Sequence, residues 1–166
     1  MRRALRILPF LVLAAGSAGQ AAVDDLSYET AAVSQSFAAI YAPAGSDLAL
    51  GQAALAAGDY PRAVRLLEPL ADGSRNSQIK LLAGYANLGA GRIGKAERHF
   101  GAALKLSYDA PFAHLGLGLA AVARGDRAEA ALRLERIEQA RVRCAQACSR
   151  AAQFDQAAQS LRRALD

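Results

Sequence analysis

Three pairs of glycines set a period along the chain. Gly51 and Gly58 recur as Gly84 and Gly91 at an offset of 33 residues, and again as Gly118 and Gly125 at a further offset of 34. Tyr60, Ile93 and Arg127 follow at matched places, then Ala63, Ala96 and Ala130, then Leu67, Phe100 and Leu134. A fixed period of this length takes precedence over any element-by-element reading, because one such unit cannot bury its own apolar face and must stack on its neighbours. Gly51, Gly84 and Gly118 fall midway along helical patterns, where Gly costs about 1 kcal/mol against Ala and so needs a packing reason. Close approach of a partner helix supplies it, with Ala63, Ala96 and Ala130 expected to answer from that partner. Gly58, Gly91 and Gly125 are placed to end the first helix of each unit in a left-handed conformation. Ser46 and Ser77 are expected N-caps, Pro61 suits the first turn of a second helix, and Pro111 opens the third unit.

These signals predict an all-α chain of helical hairpins. Composition agrees: 53% of the 166 residues are hydrophobic but only 6% aromatic, so the core must be built from Ala and Leu, which favours close-packed helices over a sheet. A partial fourth unit, Phe154, Ala157, Leu161 and Ala164, repeats the second-helix pattern. Helices are expected over 126–141 and 154–165, with 143–151 short or irregular between them. Gln153, Asp155, Gln156, Gln159, Arg162 and Arg163 give the last helix a polar face, as the end of a stacked array requires.

The pattern resembles the tetratricopeptide repeat, a pair of antiparallel helices in 34 residues. The resemblance covers three units, 44–76, 77–110 and 111–141, with 142–166 as a C-terminal cap. It implies an all-α helical-hairpin solenoid. The chain departs from the family where a large aromatic is expected early in each first helix, since Asp47, Lys80 and His114 stand there. Pro69, late in the first unit's second helix, is expected to kink or shorten it.

The N-terminus has a different character. Arg2, Arg3 and Arg6 precede an uncharged apolar run over 7–16 and small residues through Ala22, which is the pattern of a secretory signal peptide over 1–22 with cleavage after Ala18 or Ala21. An uncleaved N-terminal helix, or a start codon placed too early, remains the alternative. The run of about ten apolar residues is short of the roughly 20 that span a bilayer, so no transmembrane span is expected after cleavage. No Cys follows to carry a lipid anchor. Setting aside the three arginines lowers the formal charge from +5 to +2. The strong preference for Arg over Lys and the abundant Ala suggest a GC-rich bacterial genome, so the expected location is periplasmic or secreted. In residues 23–43, Val33, Phe37, Ile40 and Tyr41 share a helical face, leaving this segment as either a helix on the first hairpin or a linker.

Cys144 and Cys148 are the two cysteines of the chain. In an exported protein such a pair reads as a disulfide staple between the last repeat and the cap, with a redox pair and free thiols as alternatives. Short exported bacterial tetratricopeptide proteins ending in a Cys-x3-Cys segment look similar, which supports the staple. His99 and His114 lack partners at metal-ligand spacing. No nucleophile elbow, phosphate loop or dinucleotide fingerprint is present. The expectation is therefore no enzyme, no metal and no cofactor. From residue 120 onward nine basic residues (Arg124, Arg127, Arg133, Arg136, Arg141, Arg143, Arg150, Arg162 and Arg163) alternate with six acidic ones, which reads as a salt-bridged face rather than a nucleic-acid track. An anionic lipid headgroup or acidic protein remains a minor alternative there.

The resemblance implies a protein-protein interaction scaffold or adaptor in the cell envelope, with another protein or peptide as partner and, at most, peripheral envelope association. Carrying the family's groove positions onto this chain marks Leu48, Gln52 and Leu55, then Leu81, Tyr85 and Leu88, then Leu115, Leu119 and Val122. None is charged, so the expected ligand is an apolar peptide or amphipathic helix. The rivals are a thiol-redox or enzyme accessory protein acting through Cys144 and Cys148, and a secretion or pilus assembly factor.

Overall fold

The computed structural model describes residues 42–107, 110–144 and 148–166, and throughout them the chain is all-α. The expected signal segment and nearly all of 23–43 lie outside the described residues. Seven helices follow in order among them: α1 (Asp47–Ala56), α2 (Tyr60–Gly73), α3 (Ser77–Gly89), α4 (Ile93–Leu106), α5 (Pro111–Ala123), α6 (Arg127–Cys144) and α7 (Ala151–Leu165).

The pairs α1–α2, α3–α4 and α5–α6 are each joined by three residues, and the three joints are built alike. Gly58, Gly91 and Gly125 have φ of 73°, 70° and 76°. Their N–H groups donate to the carbonyls of Leu55, Leu88 and Val122, and the next residues, Asp59, Arg92 and Asp126, donate to Ala54, Asn87 and Ala121. These two bonds satisfy carbonyls that a helix end leaves without partners, and glycine takes the left-handed φ without a Cβ penalty. The residue that closes one helix also starts the next. Asp59 accepts from the Arg62 N–H at 3.2 Å and Asp126 from the Glu129 N–H at 3.0 Å, whereas Arg92 makes no side-chain cap.

Other boundaries depart slightly from expectation. Ser46 caps α1, accepting from the Ala49 N–H at 3.3 Å. At α3 the cap is Asn76, which accepts from the Gln78 N–H at 2.8 Å, and Ser77 is already inside the helix. Asn is at least as good a cap as Ser, so the helix starts at the first competent residue. Pro69 lies within α2, which runs on to Gly73 rather than stopping short. Toward the C-terminus α6 continues to Cys144 and α7 begins at Ala151, and residues 145–147 of the expected 143–151 segment lie outside the described residues.

Each helix packs on the next, α3 touches both α1 and α5, and α7 lies against both α5 and α6. A three-residue joint between packed helices makes the two helices of each hairpin run antiparallel. Within the first two hairpins the contact is set by the missing side chain. A Cβ built on Gly51 would lie 2.6 Å from Leu67 Cδ2, and one on Gly84 would lie 2.5 Å from Phe100 Cε1. Ala63, Ala96 and Ala130 are fully buried, as a close approach requires, but the nearest atoms over these two glycines come from the large residue four places further on. The third unit breaks the pattern. Above Gly118 sits Leu161 of α7, at 2.5 Å from the built Cβ, while Leu134 of α6 is only half-buried. Phe100 also packs on Gly116, so one ring ties α4 to both α3 and α5.

This packing predicts opposite effects at two glycines. Gly84→Ala should destabilise the protein by about 1–3 kcal/mol because the ring of Phe100 must move. Gly101 lies mid-helix in α4 with nothing within 4 Å of its built Cβ, so Gly101→Ala should stabilise by about 0.4–1 kcal/mol. Urea unfolding of both variants reads the two signs.

Candidate functional site

Helices α1, α3 and α5 bring the nine expected groove residues onto one layer, and most are interior. Leu55, Leu81, Tyr85, Leu88, Leu115 and Leu119 are buried, while Leu48, Gln52 and Val122 at the margins are half-buried. The eight consecutive residues Leu81–Leu88 are all buried, so α3 has no solvent face over two turns. Tyr85 is fixed from two sides. Its hydroxyl donates to the Phe112 carbonyl at 2.7 Å and its ring meets Phe100 edge-on at a centroid distance of 4.9 Å. A side chain with no exposed surface gives a partner nothing to touch while the fold is intact. Leu119, fully buried, belongs to the core in this structure, and a charge placed there would strike stability first. An uncharged stripe at helical spacing is what a groove and a core both require, so the spacing alone does not separate them.

A charged cluster that the sequence reading did not single out joins α2 to α4. Glu68 lies 2.6 Å from Lys95 Nζ, 3.5 Å from Arg92 Nη1 and 3.9 Å from Arg98 Nη2. The Lys95 hydrogen bond holds the Glu68 carboxyl below its ordinary value, against the opposing effect of burial. Glu68 and Lys95 are 27 residues apart, so no local pattern marks the pair. His99 is buried beneath this cluster, and its Nε2 has no hydrogen-bond partner. Burial depresses its pKa, helped by Arg98 and Lys80, while Asp72 and Glu68 pull the other way. Lys80 itself donates to the Ala71 carbonyl at the end of the α2 helix.

Cys144 and Cys148 are joined as a disulfide, with Cα atoms 5.2 Å apart. The bond ties the last turn of α6 to the approach to α7. On the arginine-bearing face, opposite charges pair: Arg133 with Glu129, Arg141 with Asp155, Arg162 with Glu138, and Arg124 with Glu97. Such exposed pairs contribute little individually. Among the described residues no His, Cys, Asp and Glu cluster of three stands ready for a metal ion, and no helix is long and apolar enough to cross a membrane.

No protein-family model matches the chain, and no curated protein matches it.

Two predictions follow from the charges and the staple. Because the His99 pKa is depressed, the unfolded chain binds a proton that the native imidazole refuses once pH falls below the ordinary value of 6.5. Stability should therefore be full above that value and fall on acidification, and His99→Leu should flatten this part of the profile; urea titrations across the window measure it. Glu68, whose pKa is lowered from 4.5, keeps its contribution there and loses it only in stronger acid. Replacing Cys144 and Cys148 together by Ser should cost about 2 kcal/mol or less, since the closed loop is short. Calorimetry of the oxidised protein and the double variant checks that size.

Proposed function

We propose that the chain is a tetratricopeptide-type solenoid, exported to the bacterial envelope, that serves as a scaffold or adaptor for another protein. The observation that carries this reading is the hairpin joint: the same glycine conformation and the same two hydrogen bonds close α1–α2, α3–α4 and α5–α6. Stacked hairpins hold long surfaces in fixed relation, which suits recognition of an extended partner. The disulfide adds support for an oxidising compartment, and with the basic-then-apolar N-terminus it favours the periplasm after signal cleavage. The partner on the first-helix layer is an amphipathic helix or apolar segment. It engages the first-helix layer at its two margins, Leu48 and Gln52 on α1 and Val122 on α5, where these side chains retain surface.

Two measurements test this. N-terminal sequencing of the envelope-localised protein should start between residues 19 and 22; a start at Met1 contradicts export with cleavage. Leu48→Glu and Val122→Glu should each weaken partner capture with helicity unchanged. Undiminished capture by both variants would remove the first-helix layer as the binding surface.

A further inference from the structure

Two adjoining clefts open on the second-helix side of the molecule, between α2 and the turn that leads from α3 into α4. The smaller, about 360 Å³, has an apolar bed of Tyr60, Pro61, Val64 and Ala90, with Arg92 at its edge. The larger, about 580 Å³, shares Pro61, Val64 and Arg92 and extends along Arg65, Glu68, Asp72 and Lys95. The two therefore form one channel, apolar at one end and charged at the other. Its floor is closely packed: Val64 and Tyr60 are buried, and Tyr60 packs on Gly89, where a Cβ would collide with the ring.

The charged end favours an anion of low charge. Three cations, Arg65, Arg92 and Lys95, face two carboxylates, Glu68 and Asp72. Arg98 stands behind them, 3.9 Å from Glu68. Glu68 shows what this wall does to a carboxylate, since one such group is already held there by three cations and kept ionised. Arg92 meets Glu68 through one guanidinium nitrogen at 3.5 Å and its side chain is 51% exposed, so its planar fork remains open to a second carboxylate. Arg65 is exposed on the facing wall. The two acids in the same wall repel a polyanion, so the surplus suits one or two carboxylates better than a phosphate backbone.

We infer that this channel binds an acidic segment of a partner protein, with an apolar side chain over Tyr60, Pro61 and Val64 and a neighbouring carboxylate on Arg65 and Arg92. This surface lies apart from the first-helix margin and stands whether or not that margin binds anything. Partner choice then depends on the adjacency of one acidic and one apolar side chain, read across two hairpins at a spacing set by the packing of α2 on α3.

The probe is a capped hexapeptide, acetyl-Ala-Leu-Glu-Leu-Glu-Ala-amide, titrated into the intact protein and followed by amide and side-chain NMR shifts. Saturable shifts are expected at Tyr60, Val64 and Arg92. They should weaken about tenfold or more when Gln replaces both Glu in the peptide, and by a similar factor in Arg65→Ala/Arg92→Ala, because each loses charge-assisted hydrogen bonds. Arg127→Ala, an exposed cation at the start of α6, should leave the titration unchanged. Absence of saturable shifts at millimolar peptide, equal binding of the Gln peptide, or undiminished binding by a folded double variant would each overturn the inference. Shifts centred on Leu48 and Val122 instead would overturn it while supporting the first-helix margin.

Discussion

At Gly51 and Gly84 the space where a Cβ would stand is filled by a large side chain from the facing helix, Leu67 in one case and Phe100 in the other. The rest of the structure depends on that replacement. It brings the two helices of a hairpin close enough for Ala63 and Ala96 to be fully buried. The joint glycines make the approach reproducible, because a three-residue connection with a left-handed residue at its centre leaves little freedom in where the second helix begins. Phe100 extends the arrangement to the next hairpin by packing on Gly116 as well as Gly84.

This economy of small residues divides the surfaces of the molecule. The first-helix layer is drawn inward until α3 has no exposed side over Leu81–Leu88, so the apolar side chains there mainly hold the array together. Between α2 and α4 the filling is less complete, and Glu68 with its three cations spans the gap electrostatically. Charge rather than hydrocarbon thus bridges the outer sides of the first two hairpins. That is why a channel with both apolar and ionic walls survives there.

Much of this was legible from residue spacing. The glycine period placed the three hairpins and their joints, and Pro61, Pro111 and Ser46 marked helix starts that the structure contains. What spacing did not carry was the choice between equivalent partners. Leu134 and Leu161 both suit the place over Gly118, and only the docking of α7 against α5 and α6 gives it to Leu161. Helix ends were misplaced where two capping residues stood side by side, as at Asn76 and Ser77, or where Pro69 pointed to a shortened α2 and the helix instead continues to Gly73. The groove positions were legible as a helical stripe but not as interior, because periodicity records which residues share a face and not what lies against that face. The Glu68 cluster depends on residues 27 apart, whose adjacency follows from hairpin stacking rather than from local pattern.

Glycine seats that accept a large side chain hold the hairpins together, and the closing helix fills the third one with Leu161. The most direct measurement is the set of nuclear Overhauser contacts from the glycine α-protons. Gly84 should show contacts to the ring of Phe100, and Gly118 to the methyl groups of Leu161. Contacts from Gly118 to Leu134 in place of Leu161, or no contact from Gly84 to Phe100, would contradict the packing on which the rest is built.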